Sequence, residues 1–127
     1  MSSLKEKAKE ASTHSHSPYS KAKVGCALET SDGSIYQGCN VENASYGGTV
    51  CAERVAIWKA VSEGKNKIKR IYVYTKAGWP PCGMCLQVMT EFADPTLPIT
   101  ICSDGPEEVT KMLKDFLPEA FTPDKLK

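Results

Sequence analysis

Cysteine at position 51, glutamate at 53 and a C-x-x-C pair at Cys82 and Cys85 are the residues of this chain whose types and spacing could do chemistry. In "TVCAERVA" and "PPCGMC" three cysteines fall at two predicted helix starts. There the backbone N–H groups and the helix dipole favour a thiolate. Three thiolates suit a zinc ion. Three protein ligands and an open fourth position form the pattern of a catalytic zinc, whereas a structural zinc closes its shell with four. A buried glutamate needs a reason, since an unpartnered carboxylate in a core neutralises itself. Read alone, Glu53 would complement a helix dipole. Two residues after a ligating cysteine, it is placed to take a proton from zinc-activated water and hand it to a substrate atom. Three thiolates and Zn²⁺ sum to a net charge of about −1, which weakens the metal as a Lewis acid. Arg54 and the two helix N-termini are the groups able to offset this by donating to the sulfurs.

The remaining candidates weigh less. His14 and His16 lie in the polar run "STHSHSPYS" and are not expected to touch the metal. Cys26, Cys39 and Cys102 fall on predicted strands and read as small core residues. A thiol redox protein built on "CGMC" would leave Cys51 and Glu53 unexplained. A non-catalytic zinc module would need a fourth ligand that the sequence does not offer convincingly.

The elements that must position these groups follow from local pattern. Residues 3–14 predict a helix with Leu4, Ala8 and Ala11 on one stripe. "KVGCALET" and "SIYQGCNV" read as a hairpin turned through "SDG". "NASYGG" is a loop, and "CAERVAIWKAVSEG" a buried helix stopping at Gly64 as a C′ glycine. "RIYVYTK" predicts a strand buried on both faces. "AGWPPCGMCLQVMTEF" reads as a loop opening into a helix, "PITIC" as a strand, and "PEEVTKMLKDFLP" as a terminal amphipathic helix ending at Pro118. This order argues for an α/β fold, a sandwich around a mixed sheet. The 127 residues suffice for one domain, residues 1–127.

Bulk properties exclude several functions. Lysine and arginine number 16 against 15 acidic residues, a formal charge of +1, so no global field draws the protein to nucleic acid or an anionic membrane. The basic run "GKNKIKR" reads as a solvated turn. No stretch has the length and apolarity of a membrane span, and the charged start "MSSLKEKAKEASTHS" lacks a secretory pattern. A cytoplasmic location is expected. There six cysteines point to metal chemistry rather than disulfides.

With these motifs in hand, "GCNVENASYGGTVCAER" and "PCGMCLQVMTEF" make the chain resemble the small homotetrameric cytidine deaminases, from about "SPYSKAKVG" to "LPEAF". The resemblance implies a three-layer α-β-α sandwich around a mixed β-sheet. It implies one Zn²⁺ per subunit on Cys51, Cys82 and Cys85, Glu53 as proton shuttle, and hydrolysis of cytidine or deoxycytidine to the uridine with release of ammonia. It further implies Asn40 and Glu42 on the sugar hydroxyls and the surroundings of Ala52 and Glu53 on the cytosine edge. Ala44, Tyr46 and Phe121 would reach a neighbouring subunit's site in a homotetramer. Asn40 and Glu42, two apart on a strand, should face the same way. The chain departs from the family pattern at Ala22, where a phenylalanine commonly lies against the pyrimidine, and at Leu86, where an arginine commonly follows the second cysteine. Trp79 is a candidate to replace the missing ring. These departures keep a modified cytosine nucleoside or a blasticidin-like aminopyrimidine as an alternative substrate, and they predict a zinc water that is less acidic for want of the arginine's charge.

Overall fold

The computed structural model describes residues 3–126. Ser3 caps the first helix, α1 (Leu4–Ser12), its hydroxyl accepting from the Glu6 N–H at 3.1 Å. The hairpin forms as expected: β1 (Gly25–Thr30) and β2 (Ile35–Cys39) pair antiparallel, Glu29 opposite Ile35, around a turn in which Asp32 accepts from the Ser34 N–H. Helix α2 (Ala52–Ser62) ends in a Schellman motif. Gly64 has φ +85°, its N–H reaches the Val61 carbonyl, and Lys65 reaches that of Ala60. Strand β3 (Ile68–Tyr74) leads to α3 (Gly83–Phe92), followed by β4 (Pro98–Cys102), β5 (Glu108–Met112) and the single turn α4 (Leu113–Phe116).

The strands make one sheet in the order β2-β1-β3-β4-β5, parallel between β3 and β4 and antiparallel elsewhere. Because β1 is antiparallel to both β2 and β3, those two run in the same direction. Helices α2 and α3 are therefore successive crossovers between parallel strands. Both pack on one face, and each starts at the carboxyl end of the strand before it, where ligands bind in open α/β sheets. On the other face Ala8 of α1 packs with Ala27, Tyr74 and Cys102. The α2–α3 face carries the larger apolar cluster, including Leu28, Ile57, Ile71, Met89 and Ile99. The result is the expected sandwich of helix, mixed sheet and helices.

Two close approaches fix the spacing of these layers. A Cβ at Gly25 would stand 1.7 Å from the Ala8 carbonyl oxygen, and one at Gly38 would stand 2.5 Å from that of Ala52. Only a residue without a side chain fits either place.

The region of residues 106–118 differs from its sequence reading. The apolar spacing of Val109, Met112, Leu113 and Phe116 suits a helix, yet Glu108–Met112 is a strand and only Leu113–Phe116 is helical. The reason is the free edge of β4. It offers β5 a full antiparallel ladder, sealed by a hydroxyl contact of 2.8 Å between Thr100 and Thr110, and an unpaired edge is costly.

Candidate active site

Cys51 and Cys82 occupy the N-cap positions of α2 and α3, both with extended backbone. Neither helix has a side-chain cap bond. Cys85 lies one turn into α3, on the side that returns towards its N-cap. The crossover geometry brings the two helix starts together across 31 residues of sequence. The sulfurs of Cys51 and Cys82 are 3.7 Å apart, those of Cys82 and Cys85 3.5 Å, and all three lie within 4.8 Å of one another. A tetrahedral metal with sulfur ligands at about 2.3 Å separates them by about 3.8 Å, so this donor set fits zinc. Among the described residues, this is the cluster of three or more histidine, cysteine or acidic side chains disposed to hold a metal, and neither histidine belongs to it.

Sulfurs this close cannot all ionise without a cation. The Cys51 thiol, hydrogen-bonded by Cys85 and by Arg54, is pulled down to about 5, while sharing with Cys51 and burial hold Cys85 far above the ordinary thiol range. A dication reverses that balance for all three.

Glu53 is 4% exposed, in the first turn of α2. Burial pushes its carboxyl up to about 7, the negative Cys51 adds to this, and its own backbone N–H and Arg54 oppose it. Arg54 donates through Nη2 to the Cys51 sulfur at 3.4 Å. The sequence expectations for these five residues thus meet in one place: three sulfurs, a buried carboxyl and a guanidinium at two helix starts.

Asn40 and Glu42 do face the same way, towards residues 19–24. The Asn40 amide is buried, accepting from the Val24 N–H at 3.0 Å and donating to the Ala22 carbonyl at 2.9 Å. The Glu42 carboxylate accepts from the backbone N–H groups of Tyr19 and Ser20, each at 3.1 Å, and from the Ser20 hydroxyl. The Ser20 contacts hold it below the usual carboxylate range. Both residues therefore pin the 19–24 segment, a task the sequence did not suggest. Ala52 is fully buried under Gly38.

Ala44 and Tyr46 stand in an exposed loop, Tyr46 being 74% exposed with its ring edge-on to that of Tyr19. Phe121 is 57% exposed, its carbonyl accepting from the Gln87 amide at 2.7 Å, which ties the tail to α3. Ala22 and Trp79 line the same cavity of about 330 Å³ with Tyr74 and Thr75. Leu86 is 6% exposed within the apolar cluster. In this chain the position belongs to the core and brings no charge to the cluster.

Cys26 and Cys102 are buried strand residues, as read from sequence, and Cys39 is half-buried. No helix is long and apolar enough to cross a membrane among the described residues.

A protein-family model described as the cytidine and deoxycytidylate deaminase zinc-binding region matches residues 1–101. The cytidine deaminase of Sporosarcina psychrophila is 43% identical over 93% of this chain and 88% of its own length. That of Halalkalibacterium halodurans is 47% identical over 83% and 81%. The crystal structure of cytidine deaminase from Burkholderia pseudomallei superposes with a TM-score of 0.89 at 42% identity, covering 93% of this chain and 96% of that one. A match of this extent, on a chain that gathers three sulfurs and a buried carboxyl at two helix starts, makes the protein a member of the cytidine deaminase family.

Proposed function

We propose that this protein deaminates cytidine and deoxycytidine, with Cys51, Cys82 and Cys85 holding one Zn²⁺ per chain and Glu53 moving the protons. The observation that carries the reading is the buried Glu53 in the first turn of the helix that Cys51 caps. When bound, zinc supplies Lewis acidity and makes water a nucleophile at neutral pH. Glu53 removes a proton from the water that attacks C4 of the cytosine. It delivers a proton to N3 and passes the next to the departing amine, so that cytidine and water become uridine and ammonia. Arg54 offsets the charge of the three thiolates at Cys51.

Asn40 and Glu42 orient the ribose, and they do so from a frame they share with residues 19–24. The start of α2 at Ala52 and Glu53 meets the cytosine edge. Trp79 supplies the aromatic wall absent at Ala22. Residues 1–127 work as one cytidine deaminase-like domain in the cytoplasm, without nucleic acid or membrane. Four copies complete one another's sites through Ala44, Tyr46 and Phe121, whose exposure in the single chain supports this assembly. The names borne by the relatives favour cytidine over a blasticidin-like or modified aminopyrimidine.

The test is the loss of cytidine's ultraviolet absorbance with metal-replete protein, beside a Glu53→Ala control. Conversion by the wild type alone supports the reading. Zinc bound at one per chain with no conversion of cytidine or deoxycytidine would overturn the substrate assignment, and a monomer mass by light scattering would overturn the shared sites.

A further inference from the structure

The guanidinium of Arg54 has three faces to satisfy, and the two helix starts provide for two of them. Its Nη2 donates to the Cys51 sulfur at 3.4 Å, and its Nη1 donates to the thioether sulfur of Met84 at 3.0 Å. Its Nε is buried without a partner. The guanidinium carbon stands 5.9 Å from the centroid of the Trp58 ring, one helical turn further along α2, at a distance suited to a cation–π contact. Met84 lies between the two cysteines of "CGMC" and is 61% exposed, so core packing does not account for it. With Leu86 in the core, Arg54 is the cation that donates to the cluster.

We propose that Met84, backed by Trp58, is a positioning residue that holds the Arg54 guanidinium against Cys51 and so helps the three-sulfur cluster retain its metal. An arginine side chain has many rotamers, and one whose Nε has no partner is held only at its tips. Removing the Met84 acceptor frees one tip, and the guanidinium then has solvent orientations that leave Cys51 without its donor. The thioether is a weak acceptor, but it is preorganised by the first turn of α3. Its contribution is felt through Arg54 and not by contact with substrate or metal. This inference rests on the zinc site proposed above.

A double-mutant cycle on the full-length zinc-loaded protein tests it, with Met84→Leu, Arg54→Gln and the pair together. The first readout is the rate of zinc transfer to a chromophoric chelator. The second is the sulfur-to-metal charge-transfer band of the cobalt-substituted protein. Losing a partner of a metal ligand commonly costs about 10–100-fold in affinity, so Arg54→Gln should fall in that range and Met84→Leu, one contact further out, should speed zinc loss about threefold to tenfold. Met84→Leu should also shift the cobalt band, and Met84→Gln, whose amide oxygen accepts at similar reach, should restore both readouts. In the Arg54→Gln background Met84→Leu should add nothing. An equal effect of Met84→Leu in both backgrounds, or no effect in the wild type, overturns the proposal. Zinc binding and cytidine turnover by the unmutated protein report separately on the site itself: if these hold while the cycle is additive, only the role of Met84 falls.

Discussion

The two faces of the sheet are built by different means. Against one face α1 lies so close that Gly25 faces the Ala8 carbonyl oxygen directly, with small side chains between the layers and a polar rim formed by Lys9, Tyr74 and Asp104. Against the other, α2 and α3 cover a thick aliphatic cluster and bring two helix starts together around a carboxyl and three sulfurs. The first face packs closely; the second carries the candidate site. The difference teaches that burying Glu53 and gathering thiols, both unfavourable by themselves, are tolerated where the crossovers converge and a cation compensates them.

Metal removal should separate the faces most strongly. Chelation should abolish activity and lower stability by about 4 kcal/mol relative to protein in a thousandfold excess of free zinc over Kd. Hydrogen exchange should show the loss at the starts of α2 and α3 while α1 stays protected. Uniform loss of protection in α1 as well would mean that the faces are not independent.

Glu53→Gln should keep the zinc and the fold but lower kcat by about 10²–10⁴-fold, the range of a lost general acid–base group. Steady-state kinetics beside metal analysis checks this. Near-normal turnover would remove Glu53 from proton transfer.

Paired glycine substitutions sharpen the contrast further. Gly25→Ala and Gly38→Ala each force backbone apart and should cost about 3 kcal/mol or more. Gly25→Ala should act on melting temperature alone, because it displaces α1. Gly38→Ala should in addition weaken zinc retention in whatever folds, because the backbone it displaces, at Ala52 and Ala56, belongs to the helix that Cys51 caps. Equal zinc retention in the two variants would contradict this.

The smallest effect belongs to the polar rim. Tyr74 donates to Asp104, which also pairs with Lys9 at 3.4 Å, and these contacts hold the Asp104 carboxyl below its ordinary range. A lowered folded pKa gives stability that is present above the unfolded value, about 3.9, and lost as pH falls through the folded one. Tyr74 itself is pushed up to about 12 by burial and by Asp104, so its share is present below about 10 and lost as pH rises through that folded value. Melting temperatures across pH should therefore fall at both ends, and Tyr74→Phe should flatten both limbs by a few degrees at most. Activity at neutral pH should not change.

Much of this was legible in the chain. The ligands announce themselves because C-x-x-C at a helix start needs only local geometry, and Glu53 gains meaning from a cysteine two residues away. The hairpin and the Gly64 cap are likewise local. Met84 was not legible, because its partner Arg54 lies 30 residues away on another helix. Nor was the structural task of Asn40 and Glu42, whose donors come from residues 19–24. Leu86 looked like a missing charge, and the packing of α3 made it a core residue.

Sequence alone therefore singled out the three cysteines and Glu53 as the candidates for chemistry and located the starts of α1, α2 and α3, since both depend on contacts within a turn or two. Only the tertiary structure decided that Cys51 meets Cys82 across 31 residues, that Arg54 is held between a sulfur of each helix, and that residues 108–112 extend the sheet. Those outcomes depend on which strand edges and helix starts become neighbours, and that is settled by the packing of the whole sheet.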